Sequence, residues 1–320
     1  MYSKNKKNSE SPRSAKYLPY LAGIAMALIF GMSYLFINEA LKFYTTFELL
    51  AYRFILAAAI MTGLAALKII KVNYRGKPVR LLVLLSFFQP CFYFICETMG
   101  VKYASVSEVG IFVAFIPVFA TILAFFILKE RPYGKQAVFI LISVSGAVFD
   151  VVMSGSFEYK GSIVGILFLV GLVLASGGYN ITTRKSSESF TAIEITFFMI
   201  CFGAVFFTVA RLIEMIGTGA GRSFMMLFTI RGAVPILYLG ALSSIFGFFL
   251  LNYILARLSV ASAAVFVQLA SVAAILSGIL IVGDALYWFQ IVSGALILIG
   301  VFGTNYYESK IAHRNAIVHN

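Results

Sequence analysis

Ten stretches of mostly apolar residues follow one another along this chain of 320 residues. They fall at about residues 18–37, 47–67, 80–99, 105–128, 134–153, 162–182, 191–211, 232–255, 260–282 and 288–306. Each is continuous rather than alternating, and each is close to the ~20 residues that carry an α-helix across a bilayer. A membrane barrel would alternate apolar and polar positions over shorter segments. Most polar gaps are only long enough to turn the chain around, so successive helices are expected to lie side by side as hairpins. The longest gap, from Glu214 to Arg231, holds Gly217, Gly219 and Gly221 and then an apolar run over Phe224–Ile230. That run is too short to cross and is expected at the interface.

Composition agrees with this pattern. Hydrophobic residues make up 61% of the chain and charged residues 12%, against about 45–50% and about 25% in soluble domains. An all-α integral membrane protein follows, with no room for a large soluble catalytic domain or a secreted disulfide scaffold. Residues 1–17 are polar and basic and read as a disordered cytoplasmic tail, and 307–320 as a second tail. The first apolar stretch is too long for a signal-peptide core and is kept as a span. Cys91, Cys96 and Cys201 all fall inside spans and read as small buried side chains. The two histidines, His313 and His319, lie in the last tail, so no metal site or histidine dyad is expected within the membrane. No Gly-Lys-Ser/Thr phosphate loop is present. Neither ATP nor any other cofactor is expected.

The net charge of +12 is mostly a topology signal. With the N-terminus inside, cytoplasmic segments hold 18 of the 25 Lys and Arg, outer segments hold six, and Arg53 falls within a span. Short cytoplasmic loops retain basic residues, so both termini are expected in the cytoplasm of a multi-pass cell-membrane protein. Nucleic-acid binding is not expected.

An internal repeat divides the chain. A shift of 155 lays Lys102-Tyr103-Ala104-Ser105-Val106-Ser107 over Arg257-Leu258-Ser259-Val260-Ala261-Ser262, and a shift of 145 lays Ser33-Tyr34 over Gly178-Tyr179. After a one-residue gap, Glu130 meets Asp284, Gln136 meets Gln290 and Gly146 meets Gly300. The units are 18–153 and 162–306. Five helices per unit is an odd number, so the second unit enters the membrane from the opposite face. Inverted repeats of this kind place a substrate site near the midplane in many secondary transporters.

The sequence resembles the ten-helix EamA-type carriers of the drug/metabolite transporter superfamily. The resemblance rests on Phe47-Glu48-Leu49-Leu50-Ala51-Tyr52-Arg53-Phe54, on Lys102 to Ser107, on Pro117, on Leu128-Lys129-Glu130-Arg131 and on Gly146, across about residues 18–306. It implies a carrier of small metabolites, often outward. The second half departs from the pattern, with Asp284-Ala285 in place of the acidic-Arg step and no counterpart of Pro117.

Polar residues within spans are costly and mark function or helix-to-helix contacts. On the third helix Gln89, Tyr93 and Glu97 are spaced to share one face, and the repeat maps them to Ser244, Phe248 and Asn252. On the first helix Tyr34 and Asn38 share a face, matched by Tyr179 and Thr183. Glu97 is the sharpest candidate, because a carboxylate in an apolar helix must be neutralised, paired or hydrated. Glu108 and Glu39 are its companions toward the outside. Gln268 joins the set as an amide that lipid would not tolerate. The substrate-binding candidates are thus Tyr34, Asn38, Gln89, Tyr93, Glu97, Glu108, Tyr179, Asn252 and Gln268. Glu48, Arg53 and Glu130 read as structural ion-pair residues, Glu48 with Arg53 and Glu130 with a neighbouring hairpin. Tyrosines beside a carboxylate suit an organic cation or an aromatic metabolite.

The reading is a transporter of small organic solutes by alternating access, embedded in the lipid bilayer. Coupling is expected from a proton, from an exchanged solute or from the substrate gradient alone, and a monomer or homodimer is expected. A channel-like facilitator and a multi-span enzyme acting on lipid are the alternatives.

Overall fold

A computed structural model describes residues 13–103, 112–132, 134–153, 162–218, 223–282 and 285–318. Ten helices carry the chain. α1 is Arg13–Leu41, α2 is Thr46–Ala66, and α3 passes from Val79–Ser86 through a wider-wound segment, Phe87–Phe92, into Tyr93–Tyr103. α4 is Ile116–Ile127, preceded by a helical turn at 112–114; α5 is Gly134–Met153 and α6 is Ile163–Ser186. α7 is Ala192–Thr218, followed by a 3-10 turn at Ser223–Phe228. α8 is Ile230–Leu255, α9 is Val260–Ser277 extended by a π turn at Gly278–Val282, and α10 is Trp288–Val318. Among the described residues nine of these are long and apolar enough to cross a bilayer, and α4 is a shorter apolar helix. The described residues contain no strand.

Ten crossings return the chain to the face on which it started, called here the terminal face. α1 begins on that face and α6 begins on the far face, which is the inversion that five-helix units require. The packing follows the same symmetry. α1 packs on α8 and α9 of the other unit, and their counterparts reciprocate, α6 packing on α3 and α4. α2 packs on its own counterpart α7, and α5 on α10. The two units are therefore interleaved, and the contacts that hold the bundle run between them.

Close approach is needed for this interleaving, and glycine supplies it. A Cβ at Gly31 of α1 would sit 2.5 Å from the Ala273 Cβ and 2.7 Å from the Ala270 carbonyl oxygen on α9. One at Gly300 of α10 would sit 2.4 Å from the Ser143 Cβ and 2.6 Å from its amide nitrogen on α5. Lipid supplies no hydrophobic drive between helices, so small residues that let backbones touch carry the association.

The structure departs from the sequence expectations at three places. α1 starts at Arg13 and α10 continues to Val318, past the 17 and 306 boundaries, because no proline or glycine interrupts residues 304–318. The third helix is not one regular face. Gln89 has φ −146° and ψ 124°, outside helical space, because Pro90 lacks an N–H and pushes the residue before it to an extended conformation. The spacing from Gln89 to Tyr93 and Glu97 therefore loses its phase at the break. α8 carries a π segment over Tyr238–Gly247 at the equivalent place in the second unit.

Candidate substrate site

Arg53 enters the bundle from the second turn of α2 and is 4% exposed. Its Nε donates to the Ser244 Oγ at 3.0 Å and one terminal nitrogen to the Ser243 Oγ at 3.4 Å, both on α8. The Phe54 and Phe94 rings flank the guanidinium, with centroids 5.5 Å and 5.7 Å from its central carbon. Among the described residues Arg53 forms no ion pair, and Glu48, its expected partner, lies elsewhere. The charge facing it is Glu97 on α3, which acts on it through space.

Glu97 is half-buried, and the Tyr93 phenol stands one turn before it on the same helix. Tyr34 on α1 also stands in its field. Tyr34 is 50% exposed. Asn38 is exposed on the same face of α1. Residues from α1, α2, α3 and α8 thus converge in the half of the bundle nearer the far face. They bring a cation, an anion, hydroxyls and aromatic rings into one region of the bundle. Gln89 is half-buried at the break in α3, and Glu108 lies outside the described residues.

The symmetry-related place, nearer the terminal face, is built differently. The Tyr179 hydroxyl donates to the Asn252 Oδ1 at 2.7 Å, and the Asn252 Nδ2 donates to the Thr196 Oγ1 at 2.9 Å. Tyr179 is 1% exposed and Asn252 and Thr196 are 0% exposed. This neutral chain ties α6, α8 and α7 together. Gln268 is likewise engaged: its Nε2 donates to the Ala114 carbonyl at 2.7 Å, and its Oε1 accepts from the Ser143 Oγ. As placed, these three residues bridge helices.

Beyond them, helix ends are latched at the terminal face. The Glu130 carboxylate takes the Arg184 Nε at 3.1 Å and the Val260 amide, at the first turn of α9, at 3.0 Å. Arg184 also donates to the Ala256 carbonyl at 2.9 Å at the end of α8. The Glu308 carboxylate holds the Ser259 amide and hydroxyl beside them. Anions at a helix N-terminus and a cation at helix C-termini complement the backbone dipoles.

Glu48 caps α2 and pairs with Arg211 of α7, not with Arg53. The reason is position: Glu48 is the third residue of the helix and bonds back to the Thr45 amide at 3.0 Å. Arg53 lies five residues further on and turns inward. The same capping box recurs at Thr191 and Glu194, a shift of 146, where Glu194 takes the Thr191 amide at 2.9 Å and Lys77 at 2.8 Å. Tyr74, in the loop before α3, donates to the Glu194 carbonyl at 2.9 Å, and burial holds its phenol well above the ordinary value, so it stays a neutral donor. The Thr-x-x-Glu spacing was a usable sequence signal for both boxes. Nothing in the sequence pointed to Ser243 and Ser244 as partners of Arg53, since they come from the other repeat.

Comparison with known proteins agrees with this architecture. The EamA-like transporter family matches residues 18–151 and 163–306, one match per five-helix unit. The "Uncharacterized transporter YcxC" of Bacillus subtilis (strain 168) is 33% identical over 287 residues, covering 89% of this chain and 92% of that one. The "Probable terminal-alkyne amino-acid exporter" of Streptantibioticus cattleyicolor is 26% identical over 213 residues, 67% of this chain and 68% of that one. A solved crystal structure superposes with a TM-score of 0.72 over 90% of this chain and 98% of its own, at 16% identity, a likeness of fold alone. This chain therefore belongs to the EamA-like transporter family, as a multi-pass membrane transporter built from two inverted repeats.

Proposed function

We propose that this protein is a secondary transporter that exports a small organic solute, an amino acid or an organic cation, across the cell membrane by alternating access. The observation that carries the reading is the asymmetry between the two related places in the bundle. One holds Arg53 and Glu97 near each other, with Tyr93 a turn from Glu97 and Tyr34 50% exposed beside them. The other, at Tyr179, Asn252 and Thr196, is neutral, buried and hydrogen-bonded shut. An arrangement open at one end and tied at the other is what a carrier caught in one of its two states presents.

The chemistry of the first place fits a solute with an ammonium group and, in an amino acid, a carboxylate. Glu97 attracts the first, Arg53 the second, and the tyrosine rings suit a cation or an apolar side chain. The name of the Streptantibioticus relative, an amino-acid exporter, supports that class. A proton taken up at Glu97 or an exchanged solute couples the cycle, and both termini lie in the cytoplasm.

The test is counterflow into proteoliposomes across a panel of amino acids, quaternary amines and nucleobases. Saturable counterflow of an ammonium-bearing solute is expected, with Glu97→Gln and Arg53→Met each reducing it at least about tenfold in folded protein. Unitary conductance steps without counterflow would show a channel, and lipid hydrolysis without transport an enzyme.

A further inference from the structure

A shallow groove of about 380 Å³ runs between α5 and α10 on the outside of the bundle. Phe139, Leu298, Phe302, Gly303, Tyr306 and Tyr307 line it, and its surface is almost wholly apolar. Gly303 makes the depression. A Cβ there would fall 2.1 Å from the Phe139 ring, so only glycine lets that ring lie against α10. Phe139 stacks on Tyr307 with centroids 5.6 Å apart, and Tyr306 meets Tyr307 edge-on at 5.4 Å.

Two lysines lie beyond the groove on its terminal-face side, one on each helix. Lys135 lies one turn before Phe139 on α5, exposed, with its Nζ 5.6 Å from the Tyr307 ring centroid. Lys310 lies one turn beyond Tyr306 on α10 and is also exposed. Among the described residues neither forms an ion pair. Nine helical steps from Leu298 to Tyr307 span about 14 Å at ~1.5 Å per residue. One leaflet of hydrocarbon is about 15 Å, half of the ~30 Å core. The groove thus reaches about one leaflet deep, and the lysines stand one turn further out, at headgroup level.

We propose that this groove is a binding site for an anionic phospholipid of the leaflet on the terminal face, one acyl chain lying along α10 and the phosphate held between Lys135 and Lys310. Charge decides between occupants. A second copy related by a two-fold axis would bring the same patch, with its unpaired lysines, against itself. An anionic headgroup neutralises them, and basic residues at a membrane surface draw anionic lipid by about fivefold each.

The experiment is native mass spectrometry of the full chain released from detergent with phosphatidylglycerol or phosphatidylcholine of identical acyl chains. Wild type is expected to bind phosphatidylglycerol about 25-fold more tightly. In the Lys135→Gln/Lys310→Gln variant that preference should shrink to less than about threefold. Leu298→Trp, which fills the groove from an exposed position, should weaken both lipids about tenfold. All variants are checked for an unchanged melting temperature. Equal binding of the two lipids by wild type would overturn the proposal, as would a preference that survives loss of both lysines. Displacement of the lipid by soluble glycerol phosphate would overturn the acyl-chain contact. A dimer that Leu298→Trp dissociates would give the groove to a second copy.

Discussion

Glu130→Ala removes the residue on which the terminal-face latch converges. Two interactions disappear with the carboxylate. The ion pair to Arg184 is partly exposed, with side-chain exposures of 33% and 25%, and pairs of that kind contribute about 0.5–1 kcal/mol. The bond from the Val260 amide at 3.0 Å goes to a charged acceptor at a helix N-terminus, worth about 1.5–3 kcal/mol. Arg184 keeps its bond to the Ala256 carbonyl, which tempers the loss. A total of about 2 kcal/mol is expected, and at ~1.4 kcal/mol per tenfold this is about thirtyfold in the equilibrium between closed and open terminal face. The assay is the rate at which an impermeant maleimide labels a cysteine at Thr183, 0% exposed and next to Arg184, in permeabilised membranes. Labelling of Thr183→Cys should accelerate about thirtyfold when Glu130→Ala is added. A rate within about threefold of the parent, with an unchanged melting temperature, would refute the idea that these contacts belong to one state of the carrier. An unchanged rate with a large drop in melting temperature would refute it equally, making Glu130 a constant brace.

Three other outcomes are expected. Cysteines at Asn73 and Asn315 should be shielded from an impermeant thiol reagent in intact cells while one at Ser156 is labelled; the reverse pattern would invert the orientation. Glu97→Gln should abolish the proton-dependent part of transport without loss of melting temperature, whereas an unchanged pH profile with marked destabilisation would leave Glu97 as a structural partner of Arg53. Arg211→Met should lower the melting temperature more than the Glu48→Gln/Arg211→Met double variant does, because it strands a carboxylate that is 1% exposed. Breaking one side of such a buried pair costs about 3–5 kcal/mol, and equal melting temperatures would argue against it.

The sequence alone determined the ten helices and the inversion of their two units. Continuous apolar runs of bilayer length, short connections and an odd number of helices per unit leave little other choice, since every backbone polar group must be satisfied within the membrane. It also singled out Tyr34, Tyr93, Glu97 and Arg53, because a polar side chain within an apolar span stands out by its cost. The family resemblance of the helix-two motif paired Arg53 with Glu48, and the structure gives each a different partner. Glu48 is spent on the cap of α2 and on Arg211 of α7, while Arg53 reaches Ser243 and Ser244 of the other unit.

Only the tertiary structure decided which of the polar residues stay exposed and which are buried in bonds that join helices. Tyr34 and Tyr179 occupy equivalent repeat positions, yet one is 50% exposed and the other 1%. Local sequence cannot separate them, because the difference is made by what stands opposite: Glu97, acting through space, in one case and the Asn252 amide oxygen at 2.7 Å in the other. Those partners come from helices far away in the chain, brought together by interleaved packing that spacing along a single helix does not encode. The break at Gln89 has the same character, since Pro90 marks where α3 is interrupted but only the assembled bundle fixes which way each side of the break then faces.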